Sequence, residues 1–256
     1  MSSMNLLSHE LSLLPPIHLE EMHSIRLMNR IDTKFITSSK MLPLILQLAE
    51  NDYFVQDIET NRNPEYHTIY LDTPDREMYI SHQNGKKDRK KVRFRTYLTS
   101  NTSYFEVKHK NNRGRTNKKR IQISHPKNII SEGGAQFVYN HSSYQLHHLV
   151  NHLENRFHRI TLVNKNRTER LTIDTHVRFL NHLTGNRHQL EEIAIIELKR
   201  DGNVPSPMFC ILRDLRIAPV SISKYCIGSA LTDTSLKQNR FKIKIREIER
   251  IQRNYK

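Results

Sequence analysis

Cysteine is almost missing from this sequence: Cys210 and Cys226 are the only two in 256 residues. That is too few for a disulfide framework, and their spacing is not that of a zinc site. A reducing compartment is the expectation. Glycine is nearly as scarce, at seven, and no GxGxxG or Walker-type loop occurs, so neither a Rossmann domain nor a P-loop nucleotide site is supported. Long apolar runs are lacking as well. No window approaches the roughly eighteen apolar residues of a membrane span, and the opening MSSMNLLSHELSLLPP has no basic region ahead of an apolar one. A soluble, cytoplasmic protein is expected. Hydrophobic residues make up only 36% of the chain, enough for a core if the fold also has a polar interior. The expected organisation is a single domain over 1–256, with its core over about 17–232 and a basic C-terminal helix or tail over 233–256.

Acidic residues are also in short supply. There are 26 Asp and Glu against 41 Lys and Arg, a formal charge of +15 spread along the whole chain. Such an excess concentrates anions, whether phosphates, nucleic acid or an anionic membrane surface, and does not choose among them.

Residues 17–28 carry apolar residues at roughly helical spacing, and 38–50 read as a second helix, with Ser38 or Ser39 as its cap and Pro43 in its first turn. From there to residue 124 the texture has period two: YFVQDIE, HTIYLDT, KVRFRTYL, SYFEVKHK and TNKKRIQIS, separated by turn-forming residues. A helical stretch is expected over 134–153, then strands at RITLVN, ERLTIDTHVRF and LEEIAIIELKR. A helix over 206–215 and a basic C-terminal FKIKIREIERIQR, read as a helix capping the sheet, complete the chain. The class is α+β, dominated by antiparallel sheet.

Side chains alternate across a strand, so residues at i, i+2 and i+4 share a face. In KVRFR that face carries Lys91, Arg93 and Arg95; in FEVKHK it carries Glu106, Lys108 and Lys110. Lys118 and Arg120 oppose Ile121 and Ile123, Arg170 and Asp174 oppose Leu171 and Ile173, and Glu197 and Lys199 oppose Ile196 and Leu198. Taken singly, each is an ordinary strand with its polar face in water. Together, closed into a barrel with the charged faces inward, they line a tunnel with Lys and Arg and a few carboxylates. Guanidinium forks and ammonium charges suit phosphate oxygens, and carboxylates can hold a divalent ion bridging the same phosphates.

In order and spacing, RIDTKF, YLDT, KVRFR, FEVKHK, TNKKRI, RLTID, IIELK and SISKYCIG resemble the catalytic domain of the vacuolar transporter chaperone (VTC) polyphosphate polymerases, a branch of the triphosphate tunnel metalloenzymes. The resemblance implies an antiparallel eight-stranded β-barrel tunnel flanked by helices. It also implies an enzyme that transfers the terminal phosphoryl group of ATP to inorganic polyphosphate with Mn²⁺ or Mg²⁺. Carried over onto this chain, Lys34, Arg93, Arg95, Lys108, Lys118 and Lys224 would act on the phosphates. Arg30, Arg120, Arg167, Arg170, Lys199 and Ser223 would bind substrate. Glu197 would hold the metal, with Glu106 and Asp174 as further metal candidates. Arg167 stands where the family's Tyr-x-Arg-Thr element is sought, with Lys165 in the place of the tyrosine. ATP and polyphosphate are the implied partners, nucleic acid is not the main ligand, and a membrane protein collecting the product stays open.

Two alternatives remain at this level: a triphosphatase on the same fold, with water as acceptor, and a non-catalytic polyanion-binding module. Glu197 beside Lys199 argues against the second, since a pure anion binder gains nothing from a carboxylate there. The fifteen histidines do not build a metal motif. His148 and His152 fall at i, i+4 of the expected helix but lack an HExxH carboxylate, and a solvated helix face is the expectation.

Overall fold

A computed structural model describes residues 3–22, 30–202 and 204–254. In chain order these form α1 (Ser3–Leu13), β1 (Pro16–Ile17), α2 (Leu19–Met22), β2 (Arg30–Ser38), α3 (Leu42–Ala49), β3 (Tyr53–Gln56), β4 (Glu65–Asp72) and α4 (Glu77–Gln83). Next come β5 (Arg89–Tyr97), β6 (Thr102–Lys110), β7 (Thr116–Gln122), α5 (Gly134–Ser142), β8 (Val150–Asn164), β9 (Glu169–Asn181) and β10 (Arg187–Leu190). The chain ends with β11 (Ile193–Asp201), α6 (Pro207–Asp214), α7 (Lys224–Thr232) and α8 (Lys242–Asn254).

The sheet runs β2-β11-β9-β8-β4-β5-β6-β7, eight strands with every neighbouring pair antiparallel. Short β1, β3 and β10 attach at its flanks, β1 to β3 in parallel. It is a curled half-barrel: β2 and β7 end the path and are not hydrogen-bonded to each other.

Alternation sorts the side chains into two layers. Phe35, Ile160, Leu162, Leu171, Ile173, Ala194, Ile196 and Leu198 point outward and pack with α1, α3 and α6 in one apolar cluster. On α3, Leu42, Ile45, Leu46 and Ala49 are fully buried at i, i+3, i+4 and i+7, the stripe of a helix lying on a sheet. Its proline sits in the first turn, as expected. A second cluster joins Val92, Phe94, Phe105 and Val107 to α4, α5, α7 and α8. Ile248 and Ile251 of α8 are buried there, and the helix packs on β2 and β11, so the C-terminal segment caps the sheet.

Two expectations change. The helix read over 134–153 ends at Ser142, where Ser143 turns left-handed at φ 63° and its N–H caps the Tyr139 carbonyl. A single 3-10 turn follows, and residues from Val150 on belong to β8. His148 and His152 therefore share no helix face; His152 is fully buried and its Nδ1 lies 2.8 Å from the Tyr225 hydroxyl. Of the lead-in helix read over 17–28, only α2 is seen, and positions 23–28 lie outside the described residues.

Candidate functional site

The concave face of the sheet carries the charges. Strand register sets Lys34, Glu197, Thr172 and Thr161 in one row across β2, β11, β9 and β8. Asp32, Lys199 and Arg170 form the next row, and Asp174 stands beside Arg159. On the facing wall Tyr70, Arg93, Glu106 and Arg120 form one row and Lys91, Lys108 and Lys118 another.

Three of the carboxylates on this face, Glu106, Asp174 and Glu197, are each held by two cations, while Asp32 pairs with Arg30 alone among the ion pairs of the described residues. Glu106 takes Arg93 at 2.6 Å and Lys118 at 2.7 Å. Asp174 takes both prongs of Arg159, at 2.6 and 2.8 Å, and also Lys224. Glu197 takes Lys199 at 2.7 Å and Lys34. Burial opposes the charged form of each, but the paired cations outweigh it, so all three carboxyls lie well below the usual range and stay ionised.

Cations remain in excess. Lys108 makes no ion pair to any described carboxylate, and burial, reinforced by Lys91, Lys34 and Arg93 against Glu197, pushes its ammonium down to about 8. Lys199 is likewise pushed down to about 8, by burial above all and by Arg159 and Lys34, against the pull of Glu197. Arg95 donates from Nε to Thr68 at 3.1 Å and lies over the stacked Tyr66–Phe157 pair. Burial would raise the Tyr70 phenol, yet Arg93, Arg95, Lys91 and Lys224 around it push it down. The interior is short of negative charge, and phosphate oxygens suit a groove of guanidinium and ammonium groups.

One side of the groove is built by α7. Ser223 caps this helix, its Oγ accepting from the Cys226 N–H at 3.3 Å, and it also accepts from Lys91 at 2.7 Å. Tyr225 donates to Asp72, which is fully buried and accepts the backbone N–H groups of Thr73, Met78 and Tyr79 at 2.8–3.0 Å. The YLDT aspartate thus organises the turn into α4 and ties α7 to it. Gly228 lets α7 lie directly on the sheet, because a Cβ there would meet Phe179 at 2.5 Å and Leu153 at 2.7 Å. So held, Lys224 reaches Asp174 and stands 4.6 Å over the Phe157 ring.

The structure brings Lys34, Arg93, Arg95, Lys108, Lys118, Lys224, Arg120, Arg170, Lys199, Glu106, Asp174 and Glu197 to this one face. Arg30 stands at its rim, paired with Asp32 at 2.6 Å. Arg167 does not reach the interior. It sits in the turn between β8 and β9 at φ 57°, with a guanidinium nitrogen 3.1 Å from Glu21. The interior arginine of this region is Arg159, which pairs with Asp174 and lies over the Phe157 ring. Applied to FHRITLV, the period-two rule finds Arg159 on the face opposite Ile160 and Leu162.

The three metal candidates occupy different strands and different ion pairs, and among the described residues no three His, Cys, Asp or Glu side chains come together as a metal site. A divalent ion fits here only in part: an ionised carboxylate such as Glu197 is a hard oxygen donor, and the remaining oxygens would come from the phosphates.

Fold and site together define a tunnel-fold protein whose concave face is rich in cations. The chain belongs to the VTC domain family, whose model matches residues 29–233. No curated protein matches it. Among solved structures it is similar to HpAC1 from Hippeastrum, a candidate adenylyl cyclase described as revealing a dominant triphosphatase activity, at 13% identity over 80% of this chain and 97% of that one, TM-score 0.49. It is also similar to a candidate adenylate cyclase from Bacillus halodurans, at 15% identity over 77% of this chain and 96% of that one, TM-score 0.45. No described helix is long and apolar enough to cross a membrane.

The titration of Lys108 and Lys199 has a direct consequence. Only the protonated lysines attract phosphate, so triphosphate affinity measured without metal is expected to hold below pH 8 and to weaken as pH rises through about 8. Above that pH the loss is up to about tenfold per unit for each lysine that binding must reprotonate. Calorimetric titration from pH 6.5 to 9.5 reads it; a flat profile would mean that neither lysine meets the ligand.

Proposed function

We propose that the protein is a polyphosphate polymerase, transferring the terminal phosphoryl group of ATP to the end of an inorganic polyphosphate chain held on the concave face. The observation that carries this reading is the interior itself, where Glu106, Asp174 and Glu197 are each already matched by two cations and Lys91, Arg95 and Lys108 are left over to meet a linear polyanion. Membership of the VTC family supports it.

The chemistry asks the chain for position and charge, without a nucleophilic side chain. A terminal oxygen of the polyphosphate attacks the γ-phosphorus, a new P–O–P bond forms, and the bond between the γ-phosphorus and its bridging oxygen to the β-phosphorus breaks to release ADP. Arg93, Arg95 and Arg159 offer forks to the transferring group's oxygens. Lys34, Lys108, Lys118 and Lys224 hold the flanking phosphates. Glu197 would hold a Mn²⁺ or Mg²⁺ ion, which when bound neutralises charge on the phosphoryl oxygens. As phosphate oxygens arrive, the cations exchange carboxylate partners for phosphate partners without becoming unpaired.

The test is to incubate the purified protein with γ-labelled ATP and Mn²⁺, with and without a short polyphosphate primer, and to resolve the products by size. Long labelled chains are expected. Labelled orthophosphate without chains would replace the polymerase by a triphosphatase.

A further inference from the structure

The inner face of β5 does not stop at Lys91. Two residues nearer the start of the strand, about 7 Å along it, stands Arg89, in register with Lys110 of β6. Antiparallel pairing puts this start of β5 at the end of the sheet where β4 finishes in Asp72, the end that α4 and α7 cover. The cations Arg95, Arg93, Lys91 and Arg89 therefore form a ladder that leads out of the interior at that end.

There two cations from another part of the chain, Arg240 and Lys244, come within electrostatic reach of Arg89. Arg240 precedes α8, and Lys244 lies in its first turn. The Arg240 guanidinium rests against Gly85, where a Cβ would come within 2.5 Å of its Nη1; Gly85, at φ 76°, leaves that room. None of the three forms an ion pair with a described carboxylate. Of the acids nearest in sequence, Asp88 lies 2.9 Å from His109, Glu247 pairs with Arg250 at 2.7 Å, and Glu249 is exposed on α8. Burial first, then Arg240 and Arg89, push the Lys244 ammonium down, with Cys226 opposing. His82 beside them is pushed down to about 2, by burial and then by Lys91, Arg89, Lys244 and Arg240, so it adds no charge of its own. Like charges gathered from a strand, a loop and a helix, with no anion among them, are unfavourable unless a ligand supplies one.

We infer that Arg89, Arg240 and Lys244 form a second phosphate-oxyanion site, which takes the phosphates of a polyphosphate chain as it passes out of the sheet beside α8. The inference rests on the polyphosphate reading above. Two guanidinium forks and one ammonium suit tetrahedral phosphate oxygens, and the ladder from Lys91 connects this site to the interior. The same donors could hold free orthophosphate, so the two sources must be separated.

The experiment titrates metal-free protein with tripolyphosphate, with orthophosphate and with a long polyphosphate chain, comparing the unsubstituted protein with the Arg240→Gln, Lys244→Gln double variant. Arg240 is exposed and Lys244 half-exposed, and the single Arg240→Gln variant serves if the double variant melts early. Tripolyphosphate, short enough to be held wholly inside, is expected to bind unchanged. The long chain is expected to lose at least about tenfold in affinity, and the slope of log K against log salt to fall by about two. A lost orthophosphate isotherm with an unmoved long-chain isotherm makes the ligand free phosphate and overturns the chain assignment. Equal isotherms for all three ligands overturn the site. If the unsubstituted protein takes up neither tripolyphosphate nor chain, it is the polyphosphate reading of the interior that fails.

Discussion

Arg159→Ala is expected to lower phosphoryl transfer by about 10²–10³-fold, the loss seen when one preorganised donor to transition-state charge is removed, whereas Arg167→Ala leaves turnover where it was. The two arginines lie eight residues apart and differ in everything that matters. Arg159 points into the interior and grips Asp174 with both prongs. Arg167 is about half exposed in a turn and pairs with a glutamate as exposed as itself, a contact worth about 0–1 kcal/mol. The first substitution also weakens the fold, because Asp174 stays buried with Lys224 as its remaining cation. A cost of about 3 kcal/mol, the low end for breaking a buried pair, is expected in denaturant titration. Arg159→Lys separates the roles: it restores stability by returning a charge to Asp174 but recovers little turnover, since an ammonium cannot fork two oxygens. Equal activity in the Arg159→Ala and unsubstituted proteins would remove this arginine from the reaction.

Glu197→Gln has the other large effect. The carboxylate stays ionised between Lys34 and Lys199, and glutamine keeps its shape and an oxygen for both lysines to donate to. Only the charge goes. Turnover with Mn²⁺ or Mg²⁺ is expected to fall by about 10²-fold or more, while metal-free triphosphate binding stays equal or tightens, because a negative charge facing the phosphates has been removed. This split between kcat and affinity is what a merely structural carboxylate would not produce. Normal turnover in the variant would release Glu197 from any part in the chemistry.

Much of this site was legible in one dimension. Strands with clean alternation, such as KVRFR and FEVKHK, declare their faces, and the structure puts Lys91, Arg93, Arg95, Glu106 and Lys108 on one side because period two allows nothing else. β8 was harder for a physical reason. It is fifteen residues long, and its register shifts between Arg156 and His158, so the alternation of its first half does not predict that of its second. Arg159 follows the irregularity, whereas the Arg167–Thr168 pair that reads like the motif lies in the turn after the strand. The helix read through 150–153 failed similarly, for Leu149, Leu153 and their neighbours have apolar spacing suited to either state. What the sequence does not carry is the strand order. Which carboxylate meets which cations, and that Asp72 reaches Tyr225 across the fold, depend on contacts between residues far apart in the chain.

The unpaired ends of the sheet give the cations of β7 a second role. An edge strand offers a row of free backbone donors and acceptors on which a strand of another copy could add. Along β7, Asn117, Lys118, Lys119 and Arg120 are all exposed, three successive residues of them cationic. A second β7 brought alongside would set these charges against their own kind. The basic residues of this strand thus guard the open seam against edge-to-edge association, and a substitution that neutralised Lys118, Lys119 and Arg120 together would remove that protection from the molecule as well as cations from its tunnel.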